Sequence, residues 1–243
     1  VGLLKKELRM RTLGILGGMS HESTLEYYRR LNRAVAARKG GLHSAPLLVH
    51  SFDFAEIAAL QEAGRWDDLG RILGQAALNL ARAGAQGMVI ATNTMHLVAD
   101  EVACISDLPV LHIAKAAGAA ARRAGCARVG LLGTRFTMET GVYADILKAD
   151  FGLDTLIPDE PDRTFVHEAI FGELVRGVFA DSTRARFHAI MQRLAGAGAE
   201  GVILGCTEIP LLVSQDETSL PLFDTTALHC DMAVDFILEE KAP

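Results

Sequence analysis

The stretches LARAGAQGMVIATNT, Leu80 to Thr94, and LAGAGAEGVILGCTE, Leu194 to Glu208, are nearly the same phrase written twice. Each joins an alanine-rich helical segment to a short apolar run, and each run stops at a cluster of small polar residues. Two further pairs keep the same order. RTLGILGGM from Arg11 resembles ARVGLLGTR from Ala127, and the helical segments that follow share Thr24 with Tyr27 against Thr140 with Tyr143. DLPVLHI around Pro109 echoes SLPLFDT around Pro221. Enrichment in alanine and glycine makes any two helix-turn-strand units look alike. It does not preserve the order of three matches at nearly one displacement, so the chain reads as an internal duplication.

Apolar runs of four to six residues alternate with helical segments throughout, which is the pattern of βα units and a parallel sheet. Strands are expected at TLGILG, PLLVHS, GMVIAT and PVLHI, then at RVGLLG, LDTLI, GVILG and PLFDT, with helices near Thr24 to Arg38 and Trp66 to Ala83 among others. The expected class is α/β: two pseudo-symmetric lobes, each with a parallel sheet flanked by helices. Residues 11–104 with 216–243 make the first lobe, and 105–215 the second. Parallel sheets bind ligands at the carboxyl ends of their strands, so the site is expected in the cleft between the lobes.

With 243 residues, half of them apolar, the chain has enough apolar content for a substantial core. No apolar run approaches the roughly 20 residues that span a bilayer. The opening VGLLKKELRMRT, with Lys5, Lys6, Arg9 and Arg11, reads as a short extension before the first strand rather than a secretory signal. Four scattered cysteines suit a reducing, cytoplasmic setting. A net charge of −6 without a basic cluster argues against nucleic acid as a partner. An anionic small molecule would then be held by helix ends and oriented amides.

At the duplicated position Thr92 answers Cys206, each after a strand and before a helix. Amides at a helix N-terminus lower a thiol pKa from about 8.5 toward neutrality, which makes Cys206 a candidate thiolate. Asn93 and Thr94 offer an amide and a hydroxyl to a carboxylate, although both also cap helices well. In LGILGGMSHES the glycines Gly17 and Gly18 open a tight turn that admits a small anion near Met19 and Ser20. The spacing fits neither a phosphate loop nor a dinucleotide fingerprint. Eight histidines show no HxH or HExxH spacing, so no metal is expected. His50 and His96 read as satisfied polar residues. Glu208 follows Cys206 closely enough to act behind it, though a first-turn glutamate is also ordinary helix-dipole chemistry, and His96 is the other residue expected behind the site.

Taken together, GILGGMS, the ATNTMH box and LGCTEI resemble the aspartate/glutamate racemase family over nearly the whole chain. The resemblance implies cofactor-independent racemisation of an acidic amino acid. Typical members carry a cysteine in both boxes, the first written CNT. Here it reads TNT, which with HSFDF resembles a broad-specificity subgroup that carries threonine there and accepts aspartate and glutamate. The resemblance implies that Cys206 serves the L-enantiomer and that Thr92 stands at the first-cysteine position. It places Ser51 of HSFDF among the substrate contacts, although the arginine segment of some aspartate racemases is not visible nearby. Racemisation removes the α-hydrogen from one face and returns a proton to the other, so a base and an acid must flank the carbon. Without pyridoxal, donors on the α-carboxylate must stabilise the carbanion, and Asn93, Thr94, Thr134 and Thr207 are the candidates. Losing one such donor commonly costs on the order of a hundredfold in rate. The expected partner is an amino-acid substrate, with no membrane and with a homodimer left open. Related single-cysteine members decarboxylate arylmalonates or isomerise maleate, and a non-catalytic amino-acid binder is the alternative of another class.

Overall fold

Seven strands form where the apolar runs stand, in the computed structural model that describes residues 10–239. They are β1 (Leu13–Gly17), β2 (Leu47–Ser51), β3 (Gly87–Ile90), β4 (Arg128–Gly133), β5 (Asp154–Leu156), β6 (Val202–Gly205) and β7 (Leu222–Asp224). Every pairing is parallel, as expected where helices connect consecutive strands. The first sheet has the order β2-β1-β3 and the second β5-β4-β6-β7. Equivalent strands of the repeat therefore take equivalent places, with β1 and β4 between their neighbours. Lys5, Lys6 and Arg9 of the leading segment lie outside the described residues. Among those described, no helix is long and apolar enough to cross a membrane.

The strand expected at PVLHI shrinks to a single parallel bridge between Met88 and Val110. Its backbone meets Met88 alone, the Met88 amide donating to the Pro109 carbonyl at 3.0 Å and the Leu111 amide to the Met88 carbonyl at 2.9 Å, before His112 caps the helix Ile113–Arg123 by accepting from the Ala114 amide at 3.2 Å. Its counterpart runs further and becomes β7, paired with β6 from Leu222 to Asp224.

The chain divides into two compact units. Among the described residues the first holds 10–91, 97–111 and 229–239, and the second Thr92–His96 with His112–Leu228. This corrects the division expected at 104/105 and 215/216. Residues 216–228 belong with the second unit because β7 extends its sheet. Thr92–His96 joins it as well, because Asn93 and Thr94 bond to residues of that unit. The first core gathers Leu13, Ile15, Tyr27, Leu31, Val89 and Val234, all fully buried. The second gathers Val129, Leu132, Phe187, Ile190, Val202 and Ile203. Burying one such side chain favours folding by about 1.5–3 kcal/mol, so each βα repeat is held mainly by its own apolar face.

Candidate active site

The second sheet brings Cys206 and Thr134 to one level. Gly133 and Gly205 are register partners at the carboxyl ends of β4 and β6. A Cβ on Gly133 would meet the Gly205 carbonyl at 2.9 Å, so glycine is what lets these ends approach. The residues immediately beyond them, Thr134 and Cys206, are both buried. Thr134 caps the helix Arg135–Glu139, its Oγ1 accepting from the Thr137 amide at 3.3 Å. Its hydroxyl also stands 3.1 Å from that of Thr94 and 3.2 Å from that of Thr137. Three hydroxyl protons serve these two bonds between hydroxyls, which leaves one donor unspent.

Around Cys206 the charge balance differs from the sequence expectation. The thiol donates to Glu208 Oε2 at 3.0 Å, and Thr207 Oγ1 donates to the same oxygen at 2.6 Å. Burial pushes the thiol well above its ordinary range, and the neighbouring carboxylate pushes it further by repelling a thiolate and accepting the S–H. The amides of Glu208 and Ile209 act in the expected, lowering direction but are outweighed. The helix behind Cys206, Ile209–Leu212, is only four residues long and has little dipole to offer. Cys206 is thus a protonated thiol held by Glu208, in place of the near-neutral thiolate expected from the sequence. Substituting Glu208→Gln removes the repelling charge, so ionisation of Cys206 should move to lower pH. Alkylation at Cys206, followed by peptide mass spectrometry across a pH series, reads this shift. An unchanged or higher midpoint contradicts it.

Thr92 is half-buried, and its hydroxyl makes no hydrogen bond with any described residue. The Thr92 carbonyl accepts from His96 Nδ1 at 2.9 Å, while His96 Nε2 accepts from the Ile113 amide at 3.2 Å. A carbonyl only accepts and an amide N–H only donates, so the imidazole carries its proton on Nδ1 and is neutral. His96 therefore braces the turn as a satisfied polar residue, with its ring against His112.

Asn93 is buried and held at both ends of its amide. Tyr143 donates its phenol proton to Asn93 Oδ1, and Asn93 Nδ2 donates to Thr225 Oγ1 at 3.2 Å. Thr225 in turn donates to the Leu204 carbonyl at 2.8 Å. Tyr143 had a sequence signal only as a mark of the repeat, and Thr225 only as the end of SLPLFDT.

The remaining expected residues lie in the first unit. Gly18 sits at φ +88°, and a Cβ there would lie 2.3 Å from the Phe52 carbonyl oxygen, which explains the glycine turn. Its N–H donates to Thr24 Oγ1 at 2.8 Å. Ser20 caps the helix His21–Lys39, accepting from the Ser23 amide at 3.3 Å, so its oxygen already serves the fold. Met19 is buried. Ser51 is exposed at the end of β2. His50 packs against Phe52 and lines an open groove of about 600 Å³ with Arg65, Arg71 and Gln75. Among the described residues no group of three His, Cys, Asp or Glu side chains could hold a metal ion.

Comparison with known proteins matches residues 16–233 to the family model for Asp/Glu/hydantoin racemase. The crystal structure of a candidate Asp/Glu racemase from Yersinia pestis superposes with a TM-score of 0.89 at 44% identity, covering 94% of this chain and 100% of that one. An aspartate racemase homologue from Pyrococcus horikoshii OT3 gives a TM-score of 0.80 at 32% identity, covering 95% and 100%. A glutamate racemase from Beutenbergia cavernae is 30% identical over 178 residues, which are 62% of this chain and 56% of that protein. The matched segments span from 50% to 66% of the first curated relatives.

Proposed function

We propose, on the premise that this chain belongs to the Asp/Glu/hydantoin racemase family, that it racemises aspartate, glutamate or both without a cofactor. The observation that carries this reading is the buried Cys206 thiol, bonded to Glu208 and level with the Thr134 hydroxyl at the ends of adjacent parallel strands.

In the forward direction Cys206, once ionised, takes the α-proton of the L-enantiomer. The C–H bond breaks, an S–H bond forms, and the electron pair spreads from the α-carbon into the carboxylate. Thr92 on the opposite face then supplies a proton to the α-carbon, directly or through water, and recovers its own from solvent. Asn93 and the unspent proton of the Thr94, Thr134 and Thr137 hydroxyls supply hydrogen bonds to the carboxylate as it gains charge, which is where preorganised donors matter most. Thr207 plays another part from the one expected, since its hydroxyl is committed to Glu208. A bound α-ammonium group beside Glu208 offsets the charge that holds the thiol protonated, and so favours ionisation when substrate is present.

A second reading follows from the same thiol. A cysteine held protonated also suits the delivery of a proton to a carbanion left by loss of carbon dioxide, as in the decarboxylating relatives. Both readings are tested by following L- and D-aspartate and L- and D-glutamate in deuterated water by proton NMR, after dialysis and with EDTA present. Loss of the α-proton signal with interconversion of the enantiomers is expected. Activity that vanishes with EDTA and returns with a divalent ion overturns the cofactor-free mechanism. Release of carbon dioxide from an arylmalonate without α-proton exchange selects the second reading. Binding without exchange leaves a non-catalytic binder.

A further inference from the structure

We propose that Tyr143 and Thr225 are positioning residues that hold the Asn93 side-chain amide in one orientation and reserve one of its Nδ2 protons for the substrate carboxylate. The proposal rests on the racemase reading for its substrate and on hydrogen-bond accounting for its geometry.

The Leu204 carbonyl can only accept, so the bond at 2.8 Å uses the single hydroxyl proton of Thr225. Thr225 Oγ1 has then no proton left for Asn93 and must accept. The Asn93 atom facing it, at 3.2 Å, is therefore nitrogen. Turning the amide over would set two acceptors against each other inside a region where Asn93, Tyr143 and Thr225 are 6%, 2% and 1% exposed. A buried polar group left without its partner is costly to keep. The other end agrees, because the Tyr143 phenol donates to Oδ1. Burial drives the phenol pKa far above its usual value and outweighs a lowering by the Thr225 side chain, which keeps the proton on Tyr143.

One Nδ2–H of Asn93 is spent on Thr225, and the other makes no hydrogen bond with any described residue. That proton is the donor the site can present. The same chain of bonds ends two residues before Cys206, on the strand that leads into it. The orientation of Asn93 and the position of the thiol are thereby referred to one strand, β6. Misplacing a reacting or binding group by about 1 Å can cost on the order of a hundredfold in rate, which sets the scale of what such anchoring protects.

The test uses Tyr143→Phe, Thr225→Val and Thr225→Ser, each alone and in an Asn93→Ala background, with α-proton exchange of L-aspartate and L-glutamate as the activity. Tyr143→Phe and Thr225→Val should each lower kcat by about tenfold to a hundredfold with a smaller change in KM. Thr225→Ser keeps the hydroxyl and should stay within about threefold of the wild type. In the Asn93→Ala background the same substitutions should cost almost nothing more, because residues acting through one partner are not additive. Equal losses in Thr225→Ser and Thr225→Val, or fully additive losses in the double variants, overturn the proposal. A second readout does not depend on turnover. The Asn93 side-chain amide, identified in a ¹⁵N spectrum by its disappearance in Asn93→Ala, should show one proton protected from solvent exchange, and that protection should vanish in Thr225→Val. If the wild type exchanges no α-proton, the racemase reading falls and the protection still decides the positioning. Equal protection in the wild type and Thr225→Val overturns it.

Discussion

Cys206→Ala should lower α-proton exchange by about 10²–10⁴-fold, the range for a lost acid or base in the transition state, and leave the melting temperature close to that of the wild type. The activity falls because no other thiol is offered at a duplicated strand end, and the hydroxyl at the equivalent place cannot ionise near neutrality. The fold stays because the thiol is a small apolar group whose removal leaves little void. Its partner Glu208 keeps the Thr207 hydroxyl at 2.6 Å. Cys206→Ser sharpens the result. Serine keeps a proton donor in place but supplies no thiolate, so exchange of the L-substrate should fail as fully as in the alanine variant. Wild-type exchange in either variant, measured by NMR in deuterated water, removes Cys206 from the reaction. Loss of exchange accompanied by loss of the cooperative melt shows a structural role instead.

The repeat was legible because it lives in local pattern. Alternating apolar runs and helical segments place strands wherever the backbone can pair on both sides, and the ordered matches carry over to the strand orders β2-β1-β3 and β5-β4-β6-β7. PVLHI failed as a strand, yet PLFDT with a proline in the same place succeeded. Which of the two extends is decided by what each strand meets, and local pattern does not hold that. The thiol at Cys206 shows the same limit more sharply. Its neighbours in the chain suggested a helix end that would acidify it. Burial and the direction taken by the Glu208 side chain reverse the balance, and both are tertiary facts. Asn93 was legible as a polar residue after a strand, but what holds it was not. Its partners Tyr143 and Thr225 stand 50 and 132 residues away in the chain.

Thr92→Cys should raise α-proton exchange of the D-substrate selectively, with a smaller change for the L-substrate. In the wild type the two faces of the proposed site are unequal. The Cys206 thiol, held protonated by burial and by Glu208, can be ionised by the arrival of a substrate ammonium group that offsets the Glu208 charge, whereas a threonine hydroxyl gives up its proton only to a strong neighbouring base. No such base is bonded to it, since the Thr92 hydroxyl makes no hydrogen bond with any described residue and the nearby His96 ring has both nitrogens engaged. The hydroxyl can therefore return a proton but is a poor acceptor of one. Initial exchange of the L-enantiomer should outrun that of the D-enantiomer, while the equilibrium between them remains fixed by their equal free energies. A cysteine at position 92 lacks a carboxylate placed as Glu208 is for Cys206, so like-charge repulsion does not hold its proton in the same way. The gain for the D-substrate should consequently appear at lower pH than the activity that depends on Cys206. Initial rates for both enantiomers across a pH series decide the matter. Equal initial exchange of the two in the wild type, with no selective gain in the variant, means that Thr92 already acts as a full base or does not face the substrate.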